Sequence, residues 1–195
     1  MAKLKAPLLS LGASGQLGKA LVYFPWKGLD VVREYVVPAN PQSAPQVTQR
    51  GYMTFAVAMW HTQAYTAADV IAWNRYAGTL AAIMSGFNAM VMLAIAAQAA
   101  AISWNLISDV VVDTPTAVGF DVDVENSEAG RPLYARIGTS RTHFPVTVAL
   151  VDDGDGTYSL TWGAGASGLD YYVMVMEWVA PGYHQRSGIF HIKSG

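Results

Sequence analysis

The sequence predicts an α+β fold, in which an N-terminal extended arm with a β-hairpin precedes three helices and then a β-sandwich. Three observations carry this. Residues 1–45 hold two β-branched and aromatic runs split by Pro25-Trp26-Lys27-Gly28, and Pro38, Pro41 and Pro45 follow. Residues 45–103 place apolar side chains at helical spacing. Residues 108–195 alternate apolar and polar residues in short runs separated by Gly, Pro and Asp.

In the arm, Leu21-Val22-Tyr23-Phe24 reads as one strand and 29–37 as its hairpin partner. The three prolines exclude regular helix before residue 45 and favour an extended linker. Ser43 can cap a first helix over 45–61, with Tyr52, Phe55, Ala56 and Met59 on one face. Thr66 opens a second helix with Asp69 three residues on, an acidic form of the capping box. Its apolar stripe is expected to be Val70, Trp73, Ala77 and Leu80. Ser85-Gly86 interrupts the pattern, and a third helix is expected over 87–103.

Strands are expected at 108–112, 117–124, 133–138, 146–151, 158–162, 171–178 and 187–193. Seven short strands in such a span fit an immunoglobulin-like sandwich. Alternation assigns Val122, Val124, Val146, Val148, Leu150, Tyr158, Leu160, Trp162, Val173 and Val175 to its interior, with Trp162 at the centre. The change in composition places a boundary at 107/108. Residues 1–107 form an assembly module, and 108–195 form a sandwich expected to fold alone.

Charged residues are 13% of the chain, against roughly 25% in ordinary soluble proteins. So few charges imply that much of the surface is covered by other subunits. The net charge of −2 and the lack of any Lys/Arg run argue against nucleic acid as a partner. Without cysteine there is no disulfide and no thiolate metal site. Near the N-terminus, proline and serine interrupt the apolar stretch 6–11, which reads as an arm rather than an export leader.

Residues 76–108 contain no charge. This stretch is expected to bury a helix at a subunit interface or in a bundle core, with Met84, Met90 and Met92 packing adaptably. Asn88, Gln98, the alanine content and the lack of flanking Lys/Arg clusters argue against a membrane span.

Four motifs suggest chemistry and are better read as structure. Gly12-Ala13-Ser14-Gly15-Gln16-Leu17-Gly18 has the spacing of a dinucleotide-binding turn, but Pro25 would end the required helix after two turns. Ser14 lacks the flanking order of a nucleophile elbow. Asp152, Asp153 and Asp155 are a weak calcium candidate, since Gly163 stands where an EF-hand places its glutamate; a hairpin turn explains them better. His61, His143, His184 and His191 show no metal-ligand spacing. No catalytic residue and no cofactor are expected.

Gly15-x-x-Gly18, Lys27-Gly28, Arg33, Asn40-Pro41, Gln46 and Arg50 form an ordered set. This set, with Trp73 and Ser85-Gly86-Phe87-Asn88, resembles a group of phage and prophage structural proteins over about residues 11–90. Residues 151–160, Val-Asp-Asp-Gly-Asp-Gly-Thr-Tyr-Ser-Leu, are similar to the turn-and-strand signature of filamin-like and bacterial immunoglobulin-like repeats. The resemblance implies a virion subunit, made in the host cytoplasm, that binds other virion proteins and copies of itself and displays a sandwich. Its interface candidates are Tyr23, Phe24, Trp26, Arg33, Met84, Met90 and Met92. The alternatives are a cell-surface or carbohydrate-binding module, in which exposed Trp and Tyr side chains would stack on glycans, and a membrane-associated assembly protein.

Overall fold

The computed structural model describes residues 2–4, 14–37, 39–40, 42–62, 65–116, 118–179 and 183–195. The described residues form three helices and three antiparallel sheets, in two compact units, Met1–Ser43 and Ala44–Gly195.

The first unit is a four-stranded sheet. Its strands β1 (Ala2–Leu4), β2 (Gly15–Leu17), β3 (Leu21–Trp26) and β4 (Leu29–Glu34) lie in the order β1-β4-β3-β2. The expected hairpin forms, with a tighter turn than its four-residue signal suggested. β3 runs on through Pro25 and Trp26, and Trp26 pairs with Leu29. Lys27 and Gly28 alone make the turn, at φ of 49° and 75°. Two successive positive φ values match the right-handed twist of the flanking strands. The second strand stops at Glu34, short of the expected residue 37.

The second unit opens with α1 (Ala44–Thr62), α2 (Ala67–Ala77) and α3 (Gly86–Ala99). The capping box at α2 is present: Thr66 accepts from the Asp69 amide, and the Asp69 carboxylate accepts from the Thr66 amide. The buried face of α2 is Asp69, Ala72, Trp73, Tyr76 and Ala77. Trp73 and Ala77 therefore lie where the periodicity put them, while Val70 faces out. α3 is capped by Ser85, which accepts from the Asn88 amide. Gly86 donates to Asn74 Oδ1 on α2 at 2.8 Å, so the Ser-Gly pair that broke the pattern starts the helix.

The β-rich region is a two-sheet sandwich. One sheet holds β5 (Ser108–Thr116), β6 (Gly119–Asn126), β10 (Tyr158–Trp162) and β9 (Val151–Asp152), in the order β5-β6-β10-β9. The other holds β7 (Leu133–Gly138), β8 (Val146–Ala149), β11 (Asp170–Val179), β12 (Tyr183–Arg186) and β13 (Phe190–Lys193). Its order is β12-β11-β7-β8, and β13 joins the same edge of β11. In the first sheet, the first, second, sixth and fifth strands of the sandwich lie side by side, while the fourth, β8, pairs with β7 in the other sheet. Tyr171, at the start of β11, has its hydroxyl 2.7 Å from the Ala166 amide five residues upstream, which fixes the corner into that strand.

Between the sheets, Phe120, Val122, Val124, Tyr158 and Trp162 pack on Leu133, Ala135, Ile137, Tyr171, Val173 and Val175. The rings of Trp162, Phe120 and Tyr171 meet at centroid distances of 4.9–5.8 Å, which puts Trp162 in the central aromatic group as expected. Val148 and Leu160 pack against this core from its margin. Val146 differs: it lies on a short edge strand and is 36% exposed.

The boundary expected at 107/108 also differs, because the helices and the sandwich share one unit. β11 is buried on both faces. Tyr171, Val173 and Val175 face the sandwich core, while Met174 and Met176 face a second core with Trp73, Met90, Ala94 and Ile189. Gly188 sits where a Cβ would come within 2.3 Å of the Ala72 and Trp73 backbone on α2. Ile189 there donates to the Ala72 carbonyl at 2.9 Å. A composition shift marks the start of the strands, yet the apolar outer face of β11 requires the helices as its cover.

Two buried polar anchors fix that cover. The Asp69 carboxylate accepts from the Asp109 amide at 2.8 Å and the Val110 amide at 3.3 Å, which ties the start of α2 to β5. Buried Glu177 accepts from Asn105 Nδ2 at 3.0 Å and pairs with Arg131 at 3.2 Å. Gln185 accepts from the Asn105 amide and donates to the Ser103 carbonyl. The segment after α3 is thereby held to β11 and β12. Burial of a carboxylate is sustained only when its lone pairs are used in this way.

Candidate assembly interface

The N-terminal sheet carries a row of large side chains and almost no core. Among the residues of β2, β3 and β4, only Val31 is buried. Trp26 is 56% exposed, and Leu17 and Leu29 are exposed. Tyr23 and Phe24 are half-buried, and the Arg33 guanidinium lies over the Phe24 ring at 5.4 Å. The four arm residues expected at an interface are thus brought together on one hairpin. After it, Val36 and Val37 are also exposed.

The methionines separate. Met90 is fully buried and acts inside the subunit, while Met84 is half-buried at the margin of the same helical core. The interface assignment of Met90 is corrected: of the two places expected, the charge-free stretch takes the bundle core, burying its apolar face against α2, α1 and the outer face of β11. Met92 alone of the three is exposed.

Sequence reasoning missed other exposed apolar residues. Val47 and Met53 stand out from α1, whose first turns, residues 44–51, are exposed all round. Ile71 on α2 and Ile83 before α3 are exposed. On the sandwich, Trp178 near the end of β11 is 59% exposed. It lines a cavity of about 410 Å³ with Tyr134, Arg136, Thr147 and Met176. The even-numbered positions of β11 pointed to these, because Trp178 continues the series of Tyr172, Met174 and Met176 on one face.

The motifs that suggested chemistry resolve into turns. Gly12 and Ala13 lie outside the described residues. From Gly15 the chain enters β2 and then a turn at 18–20, and no helix begins there to receive a pyrophosphate. Asp152 accepts from the Gly154 amide at 2.8 Å and the Gly130 amide at 2.7 Å. Asp155 accepts from the Thr157 amide and hydroxyl at 3.1 and 2.6 Å. The Thr157 hydroxyl and amide hold the Asp155 carboxyl below its ordinary range. Asp153 does not join them on a common point. Among the described residues, no group of three or more His, Asp or Glu could hold a metal ion. His191 pairs with Asp170 at 2.9 Å.

Elsewhere, burial pushes the Tyr65 phenol well above its usual range, and the nearby Asp69 charge adds to the effect. Burial also raises the Asp123 carboxyl, and Asp113, Asp121, Glu125 and Asp153 raise it further by repulsion. Among the described residues, no helix is long and apolar enough to cross a membrane.

The chain matches no protein-family model, and no curated protein matches it.

Proposed function

We propose that this chain is a structural subunit of a tailed-phage particle. It assembles through its N-terminal sheet and the exposed start of α1, and it displays the immunoglobulin-like sandwich. One observation carries the assembly role: a four-stranded sheet in which β2, β3 and β4 together bury a single side chain, Val31. A sheet needs a hydrophobic face packed on something to be stable, and exposed strand edges and aromatic side chains invite another chain. The virion setting rests on the resemblance of residues 11–90 to phage structural proteins. On this reading the chain works by contact, without a catalytic residue.

Sedimentation velocity of the whole chain and of residues 44–195 tests the assembly role. The whole chain should form a concentration-dependent oligomer, or join one with particle proteins, and the fragment should stay monomeric. An oligomer of equal size from the fragment would overturn it. A mass-spectrometric inventory of purified particles tests the virion setting.

A second reading, glycan binding by the sandwich, is favoured by Trp178 and Tyr134 along one cavity, since sugar rings stack on exposed aromatic faces. A glycan array probed with the whole chain and with Trp178→Ala tests it; binding lost in the variant supports the reading.

A further inference from the structure

A second cavity, of about 270 Å³, lies between the helical layer and the outer face of the sandwich. Arg136 on β7, Arg141 in the loop after β7 and Arg186 at the end of β12 line it. The register sets two of them. Arg136 pairs with Met174 and Arg186 with Met176, so both flank the outward face of β11. Tyr76 and Thr79 close one side from the end of α2, and Thr142 adds a hydroxyl.

The three guanidiniums are cations that offer hydrogen-bond donors and no acceptor. Among the described residues, no carboxylate lies within 4 Å of any of them; the three ion pairs found involve Arg131 and His191. Each is held by other means. Arg136 donates to the Phe144 carbonyl at 2.9 Å. Arg141 lies over the Tyr172 ring at 5.6 Å and Arg186 over the Tyr76 ring at 5.4 Å. The Arg186 Nε is buried without a hydrogen-bond partner. A buried donor left unpaired is costly, and three like charges around one cavity repel. A single anion with several acceptor oxygens would relieve both, since guanidinium donors suit oxyanions bidentately.

We propose that this cavity is an anion site for a compact phosphate-class oxyanion, with Arg141 and Arg186 as its principal ligands and Arg136 fixed beside them. The cavity is small, which favours a phosphate-sized group over an extended ligand.

The test is thermal unfolding of the whole chain with inorganic phosphate against chloride at matched ionic strength. The phosphorus-31 resonance of the phosphate is followed in parallel. Phosphate should raise the midpoint saturably, by about 2 °C or more at excess ligand, and should broaden its own resonance. Both effects should vanish in R141Q/R186Q. Should that double variant fold poorly, R141Q alone, at an exposed loop position, should weaken phosphate binding by about 5-fold or more. Equal midpoints in phosphate and chloride, or unchanged phosphate binding in R141Q, would overturn the proposal. Saturable stabilisation by acetate but not by phosphate would overturn the assigned ligand class.

Discussion

The N-terminal sheet and the sandwich are both antiparallel and both rich in aromatic and β-branched residues, yet they differ in what those residues touch. The four-stranded sheet buries Val31 alone among its described side chains. The sandwich buries a continuous cluster from both sheets, and the helices bury a second one against β11. Strand composition is therefore no measure of a strand's own stability. The sandwich has a layer on each face of β11, whereas the described residues of the N-terminal sheet leave Trp26, Leu17 and Leu29 in solvent. We propose that a sheet of that kind gains its hydrophobic stabilisation, at about 25 cal/mol per Å² of apolar surface, from a partner.

The largest expected effect breaks the chain at two places. Residues 44–195 should unfold cooperatively, with a midpoint close to that of the whole chain. Residues 105–195 should show no cooperative transition in tryptophan fluorescence, because Met174, Met176 and Ile189 would lose their cover. A sharp transition from 105–195 would mean that the sandwich stands without its helices.

Two tryptophans sharpen the contrast. Trp73→Ala should cost about 3–5 kcal/mol in denaturant unfolding, since the side chain is fully buried in the helical core. Trp26→Ala should leave that transition unmoved and instead weaken association, measured by sedimentation. A loss of stability without any change in association would place Trp26 in an intramolecular core.

A smaller effect is expected at Gly156, which has φ of 98° and a Cβ direction that meets the Ser127 carbonyl oxygen at 2.5 Å. Gly156→Val should cost about 2–4 kcal/mol through backbone strain and that clash. Chemical denaturation checks it, and a cost below about 0.5 kcal/mol would mean that the turn relaxes freely.

The smallest effect concerns charge. Asp113 pairs with Asp121 across β5 and β6, and Asp123 follows on the same face. The Asp123 carboxyl is raised by burial and by its acidic neighbours, so its ionisation opposes folding. The folded state holds this proton more tightly than the unfolded chain. Stability is therefore gained as pH falls into the raised range and lost as pH rises through it. Asp123→Asn should raise stability at neutral pH by about 0.5 kcal/mol, and the gain should fade toward acid. Midpoints measured across pH check the sign.

Much of the fold was legible because the relevant signals are local. Thr66 with Asp69 set the start of α2, and alternation assigned Val122, Val124, Tyr158, Val173 and Val175 to the interior. What failed depended on layers far apart in sequence. Val70 lies on the α2 stripe by spacing, but β5 and β13 meet the face one residue round, at Asp69 and Ala72. Met90 looked like an interface residue because nothing local shows that α2 and β11 cover it. The 107/108 boundary failed for the same reason. The arginine-lined cavity was invisible, since Arg136, Arg141 and Arg186 come together only through the β7–β11–β12 register and the end of α2.

We propose, above all, that the N-terminal sheet is stabilised from outside its own subunit. Amide hydrogen exchange over a dilution series tests this directly. Amides of β3 and β4 should be protected only at concentrations where the chain is associated, while those of β6 and β11 stay protected throughout. Protection of β3 and β4 equal to that of β6 in the fully dissociated chain would show that the sheet needs no partner.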